Sequence, residues 1–429
     1  MAKRNVIIAQ SGGPSPVINA SLQGAIEACM EWSEHFNNLY GAWHGVEGIL
    51  KEELIDLGAQ DIEQIRLLRS TPSAGAIGTC RYKLKEEQEE DFERILEVFR
   101  AHDVGYFFYI GGNDSMDTAQ KVSDLAKQEG MELVVVGIPK TIDNDIGDQE
   151  FRLLDHTPGY GSAARYWSYL VQNLAEENRA MSGSEPVCVI QTMGRTSGFI
   201  PAAARLADPG RKIPLQIYFA EGGHTLESLA DCVNEQLKAD GHCLLVVSEG
   251  FDVGSLGELH DDFGNIEYSS SRTTVAQQIA NYLNDNRLKA RGLATAQVPG
   301  AIQRCVSLYA SRVDIEEAYQ VASHAVEIAL QDGGGWMATI LRKSAEPYSV
   351  QYDKVPLQRV ANSVRHLPPS WISKDGLDVT DEFVRYALPL IGNRNPDVEM
   401  INGLQRFASL DRKFVDRLTP EYEPVRMRA

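Results

Sequence analysis

The chain of 429 residues lacks most of the features that would tie it to a special environment. No stretch of ~18 consecutive apolar residues occurs, which excludes a membrane-spanning helix. Lysine and arginine number 41 against 60 aspartates and glutamates, a net charge of −19. That balance argues against a nucleic-acid or anionic-membrane surface, where a basic patch is needed. The six cysteines (29, 80, 188, 232, 243, 305) contain no C-x-x-C pair and no metal-like spacing. They predict reduced thiols of a cytoplasmic protein. The nine histidines show no ligand spacing either, and no internal repeat or low-complexity segment is present. The apolar run after Lys3-Arg4 is too short for a signal peptide and ends in Ser11-Gly12-Gly13.

What is present is an ordinary globular composition, 43% hydrophobic and 24% charged. The length exceeds a single core, so two domains are expected. Apolar strand patterns at 5–9, 106–110 and 133–138 alternate with helical patterns at 19–32 and 116–129. An amphipathic surface helix is predicted over 83–100. A second series places helices at 162–177, 199–207 and 226–239 among strands at 187–190, 217–219 and 243–247. The alternation predicts an α/β protein with two doubly wound Rossmann-like domains and a cleft between them. Residues 208–213 and 254–265 read as loops, and 321–330 as a helix closed by three glycines. The region after 346 is expected to be an appended α-rich region with a helical stretch near 381–387.

Polar turns follow several of these strands. Ser11-Gly12-Gly13-Pro14-Ser15-Pro16 lies between a strand and a helix, where glycine lets backbone approach an oxyanion. It also suits a plain tight turn. Gly111-Gly112-Asn113-Asp114-Ser115 adds a carboxylate to such a turn, which makes sense beside phosphate mainly with a divalent cation. The same polar residues suit a helix N-cap. Lys140-Thr141-Ile142-Asp143-Asn144-Asp145 sets two carboxylates at i and i+2 after a strand, a base with a metal-binding or tuning partner. Lys140 offers a point charge for phosphate. Met193-Gly194-Arg195 puts an arginine where it suits a transferring phosphoryl group, although taken alone it fits better a surface arginine in a loop. Glu249 suits a sugar, and Arg304 and Arg312 suit a remote phosphate.

Taken in order, Gly12-Gly13, Gly111-Gly112-x-Asp114-Ser115, Pro139-x-Thr141-Ile142-Asp143-Asn144-Asp145, Met193-Gly194-Arg195 and Gln303-Arg304 resemble the phosphofructokinase family. The pattern looks like its pyrophosphate-dependent branch and covers about 4–345. Related NAD and diacylglycerol kinases share a Gly-Gly-Asp-Gly element but lack Thr-Ile-Asp-Asn-Asp followed by Met-Gly-Arg. The resemblance implies transfer of a phosphoryl group from pyrophosphate to fructose 6-phosphate, reversibly, with magnesium (Mg2+). Asp143 would take the proton of the sugar 1-hydroxyl, with Asp145 assisting it and the metal. Thr141 and Arg195 would meet the transferring group. Gly12, Gly13, Arg81, Gly111, Gly112 and Ser115 would lie on the donor side. Met193, Gly194, Glu249 and Arg304, with Thr141, Asp143 and Arg195, would hold the sugar phosphate. Asn113 and Asp145 would hold the metal, although the family commonly has Asp at the Asn113 position.

ATP-using relatives carry Gly at the positions of Asp114 and Lys140. The resemblance therefore implies that Asp114 excludes a nucleotide α-phosphate and that Lys140 stabilises the departing phosphate. A family arginine reaching the sugar phosphate from a neighbouring subunit aligns near Pro186, and a family histidine falls on Ala301, so a larger ketose phosphate such as sedoheptulose 7-phosphate is also conceivable. The implied domains are 1–154 with about 303–345 for the donor, 155–302 for the sugar phosphate, and 346–429 packing on both. A homodimer or homotetramer is implied as well. An ATP-dependent phosphofructokinase and a non-catalytic regulatory subunit of the same fold are the alternatives.

Overall fold

The computed structural model describes residues 3–85, 88–220, 222–254, 273–285 and 287–428. A first sheet takes seven strands: β1 (Arg4–Gln10), β2 (Phe36–Ala42), β3 (Leu54–Asp56), β4 (Val104–Gly111), β5 (Val134–Pro139) and, much later, β10 (Trp336–Ala345) and β11 (Tyr348–Pro356). Their spatial order is β11-β10-β5-β4-β1-β2-β3. The five inner strands run parallel, and β3 and β11 close the edges antiparallel. A second sheet holds β6 (Val187–Thr192), β7 (Leu215–Tyr218), β8 (Cys243–Ser248) and β9 (Ala294–Gln297), all parallel, in the order β7-β8-β6-β9.

Parallel strands covered by helices on both faces need side chains that are apolar on both faces. Val6, Ile7, Ile8 and Ala9 of β1 and Leu244, Leu245, Val246 and Val247 of β8 meet this requirement, each fully buried. Helix Ile18–Glu31 packs against helix Arg312–Gln331 so closely that a Cβ on Gly24 would collide with the Tyr319 carbonyl. The chain after the second sheet therefore returns to the layer of the first.

Most anticipated elements form within a few residues of their expected bounds. The helix expected over 116–129 spans Asn113–Gln128, beginning three residues earlier. Its N-cap is Gly112, so Asn113, Asp114 and Ser115 form the first turn and no side chain caps the helix. The amphipathic helix expected from 83 begins at Glu89, because residues 81–85 are non-helical. The 199–207 stretch is α-helical only to Ala202 and 3-10 thereafter. Residues 208–213 form a turn organised by the Asp208 carboxylate, which accepts from the Ile213 N–H at 2.6 Å. The other anticipated loop lies outside the described residues from 255 on.

The stretch near 381–387 is helix Asp381–Ile391. After β11 the rest of the C-terminal region is mostly irregular rather than α-rich, with 3-10 turns at Leu357–Arg359, Pro369–Trp371 and Val425–Met427 and one small hairpin of β12 (Met400–Ile401) and β13 (Leu404–Gln405). Near its end a bridge between Phe414 and Ile55 and a 2.9 Å bond from the Val415 N–H to the Leu54 carbonyl cover the β3 edge. That satisfies an edge which would otherwise be open to pairing.

Candidate active site

Four polar loops leave the carboxyl ends of β1, β4, β5 and β6 and meet in one cleft, the usual place for a ligand in open α/β sheets. In the first loop Gly12 has φ +77°, a left-handed conformation that glycine adopts at no steric cost. The Gly12 N–H donates to the Cys80 carbonyl at 2.9 Å, which brings Arg81 alongside. A Cβ on Gly13 would lie 2.8 Å from Nη1 of Arg304 and 3.9 Å from Nη2 of Arg81. The bare backbone thus admits two guanidinium groups.

The β5 loop is tied to its neighbours by Lys140. Its N–H donates to the Gly111 carbonyl at 2.9 Å, and its Nζ reaches the Gly13 carbonyl at 2.7 Å. Thr141 Oγ1 accepts from the Asp143 N–H at 3.1 Å. Asn144 between the two aspartates has φ +57°, and both ends of its amide are bonded: Nδ2 donates to Tyr386 OH at 2.9 Å and Oδ1 accepts from the Thr157 N–H at 3.0 Å. The β6 loop turns through Gly194 (φ +113°) and Arg195 (φ +49°). The buried Glu249 carboxylate accepts from the Arg195 N–H at 2.9 Å, and Gln303 Oε1 accepts from the Met193 N–H at 3.1 Å.

Among the described residues, five cations (Arg81, Lys83, Lys140, Arg195, Arg304) and four carboxylates (Asp114, Asp143, Asp145, Glu249) line the cleft. Locally the balance is positive in a chain of net charge −19, which answers how an anion could be captured. Burial pushes Lys140 down to about 7, against the pull of Asp143 and Asp145. Burial raises Asp143 above the usual carboxylate range, opposed chiefly by Arg195 and Lys140. Asp145 rises to about 6 through burial and the neighbouring Asp143, and Glu249 to about 7 through burial. Carboxylates held this way are ready to accept a proton.

Gly12, Gly13, Arg81, Gly112, Asn113, Asp114, Ser115, Lys140, Thr141, Asp143, Asp145, Met193, Arg195, Glu249 and Arg304 all line this cleft. Gly111 and Gly194 do not line it: Gly111 ends β4 where a Cβ would collide with Ser115, and Gly194 forms the β6 turn. Arg312 does not line this cleft; it lies elsewhere, paired with Asp397 at 3.2 Å and grouped with Arg66, Arg69 and Arg406. The N-cap reading of Asn113, Asp114 and Ser115 is corrected too, since Gly112 holds that position. Sequence reasoning missed Lys83, whose Nζ lies 2.6 Å from Asp114 Oδ1. Its place two residues after Arg81 was the available signal. It also missed the supporting role of Gln303, although the Gln-Arg pair itself was visible.

Among the described residues no group of three or more His, Cys, Asp or Glu side chains is arranged to hold a metal. The cleft's oxygen donors include Asp143, Asp145 and the Asn113 amide, whose Oδ1 accepts from the Asp114 N–H at 2.8 Å and whose Nδ2 donates to the Ser363 carbonyl at 2.7 Å. Two carboxylates whose charged form is disfavoured by burial fit a hard cation that keeps most of its waters. No helix of the described residues is long and apolar enough to cross a membrane.

A family model described as phosphofructokinase matches residues 5–329. A protein of Halomonas elongata named pyrophosphate–fructose 6-phosphate 1-phosphotransferase is 38% identical over 430 residues, 99% of this chain and 100% of its own length. One of the same name from Methylococcus capsulatus is 39% identical over 401 residues, 91% of this chain and 92% of its own. A solved pyrophosphate-dependent phosphofructokinase of Marinobacter aquaeolei matches with a TM-score of 0.87 at 34% identity, covering 98% of this chain and 99% of that one.

Proposed function

The chain belongs to the phosphofructokinase family, and from that premise we propose that it transfers a phosphoryl group from pyrophosphate to the 1-hydroxyl of fructose 6-phosphate, giving fructose 1,6-bisphosphate and phosphate. The observation that carries the reading is the convergence of Asp143, Lys140, Asp114 and Arg195 in one cleft.

In the mechanism, Asp143 takes the hydroxyl proton as the sugar oxygen attacks. A new C–O–P linkage forms and the P–O–P linkage of pyrophosphate breaks, its electron pair leaving with the departing phosphate. Lys140, anchored at the Gly13 carbonyl beside the donor loop, stabilises that phosphate. Arg195 and Thr141 stabilise the phosphoryl group in transit, as phosphoryl transfer depends mainly on positioning and charge. Arg304 and Glu249, with Met193 and the Gly194 turn, hold the sugar phosphate. Arg81, Gly12, Gly13, Gly112 and Ser115, with Gly111 at the end of β4, hold pyrophosphate.

Magnesium, when bound, neutralises charge on the donor oxygens. Asp145 would hold it, with Asn113 contributing its remaining oxygen lone pair or a bridging water. Asp114 would stand where an α-phosphate of a nucleotide would lie, which would disfavour ATP as the donor. The regulatory-subunit alternative loses ground because base and charge stabiliser share the cleft. A homodimer or homotetramer is proposed from the family resemblance alone. A cytoplasmic setting is supported by six cysteines without disulfides.

Phosphorus NMR of purified protein with fructose 6-phosphate, pyrophosphate and magnesium tests the reaction. Equal formation of fructose 1,6-bisphosphate and phosphate is expected, together with reversal from those products. Turnover of sedoheptulose 7-phosphate but not fructose 6-phosphate would refute the sugar assignment.

A further inference from the structure

The family match ends at residue 329, yet residues 362–367 run behind the cleft and bond to three of the loops that form it. Toward the β4 loop, Asn362 Nδ2 donates to Asp117 Oδ1 at 2.9 Å, and the Ser363 carbonyl accepts from Asn113 Nδ2 at 2.7 Å. Toward the β5 loop, Ser363 Oγ accepts from the Gly147 N–H at 3.2 Å, and the Arg365 N–H donates to the Asp145 carbonyl at 2.8 Å. Toward the β6 loop, His366 Nδ1 bonds the Thr196 carbonyl at 3.1 Å and the Leu367 N–H donates to the Ser197 carbonyl at 2.8 Å.

Arg365 is the centre of this strap. It is fully buried, its guanidinium lies 4.4 Å over the Phe151 ring, and that group bonds to the aspartate loop and the segment after it. Nε donates to the Asn144 carbonyl at 3.0 Å, Nη2 to Asn144 Oδ1 at 2.8 Å and Nη1 to the Leu154 carbonyl at 2.6 Å. A buried guanidinium is costly to desolvate, and a fork of charge-assisted bonds to fixed acceptors offsets that cost. The acceptors hold Asn144 in the left-handed conformation that sets Asp143 and Asp145 either side of it. Such a conformation persists where its surroundings over-determine it.

We propose that Arg365 is a positioning residue for phosphoryl transfer: through Asn144, and with the strap around it, it registers the aspartate pair of the first sheet against Arg195 of the second. The inference rests on the reading of Asp143 and Arg195 given above. It assigns a role to the C-terminal region, which the sequence pattern left without one.

Arg365→Lys keeps the charge and removes the fork. Misplacing reacting groups by about 1 Å costs about 100-fold in rate. The expected result is a kcat lower by about 100-fold, with KM for fructose 6-phosphate and pyrophosphate within about threefold. A kcat within about threefold of wild type, with only the melting temperature lowered, overturns the proposal. If that variant does not fold, Ser363→Ala and His366→Ala, each loosening one loop, carry the test. Each is expected to lower kcat about tenfold at unchanged melting temperature, and wild-type kcat in both overturns the proposal. Wild-type rates with pyrophosphate and with ATP are measured first, and the ratios are taken with whichever donor it uses. A wrong donor assignment then shows in the wild type, and a wrong role for Arg365 shows only in the variants.

Discussion

Asp114→Gly removes the carboxylate assigned to exclude the nucleotide. Two unit charges about 4 Å apart interact by about 4 kcal/mol at an effective dielectric of about 20. Two features reduce that value here. The Asp114 side chain is 44% exposed, and Lys83 Nζ sits 2.6 Å from its Oδ1. After screening, about 1.4–2 kcal/mol of repulsion toward an α-phosphate remains, worth about 10- to 30-fold in affinity. Lys83, released from its partner, adds attraction of the same sign. Glycine in the first turn of helix Asn113–Gln128 costs up to about 1 kcal/mol of stability. Coupled assays of fructose 1,6-bisphosphate formation with each donor therefore should show kcat/KM for ATP rising at least about tenfold relative to pyrophosphate. Asp114→Asn, which keeps the shape, should move the ratio in the same direction. An unchanged ratio in both variants refutes the reasoning.

Lys140→Met should lower kcat with pyrophosphate by about 10²- to 10³-fold, the effect of removing one preorganised charge stabiliser. Because burial puts Lys140 at about 7 in the free enzyme, its charge is lost as pH rises through that value. Wild-type kcat/KM for pyrophosphate should fall on that alkaline side, and the pH profile of Lys140→Met should lack this limb. Gly13→Ala introduces a Cβ that would stand 2.8 Å from Arg304 Nη1. Displacing that side chain end should raise KM for fructose 6-phosphate about tenfold with little change in melting temperature, since no core group moves.

The cleft was legible in the sequence because each loop is contiguous with the strand that presents it. Gly111-Gly112-Asn113-Asp114 directly follows β4, and Thr141 to Asp145 directly follow β5. What was not legible acts across distance. Lys83 meets Asp114 from 31 positions away, and Arg365 meets Asn144 from 221. Neither lies in a periodic element that would reveal its direction. The capping reading of Asn113 to Ser115 failed because backbone geometry, with Gly112 at the N-cap, decides which polar residue caps and which faces the cleft. Strands β2 and β10 also went unanticipated. Asn37 and Asn38 interrupt the apolar run of the first, and the second ends in the polar run Arg342-Lys343-Ser344.

The central claim is that pyrophosphate is the phosphoryl donor. The direct measurement is the rate of fructose 1,6-bisphosphate formation by the purified wild-type protein with pyrophosphate and with ATP, side by side. Turnover with pyrophosphate and none above background with ATP is predicted. Turnover with ATP alone would contradict it.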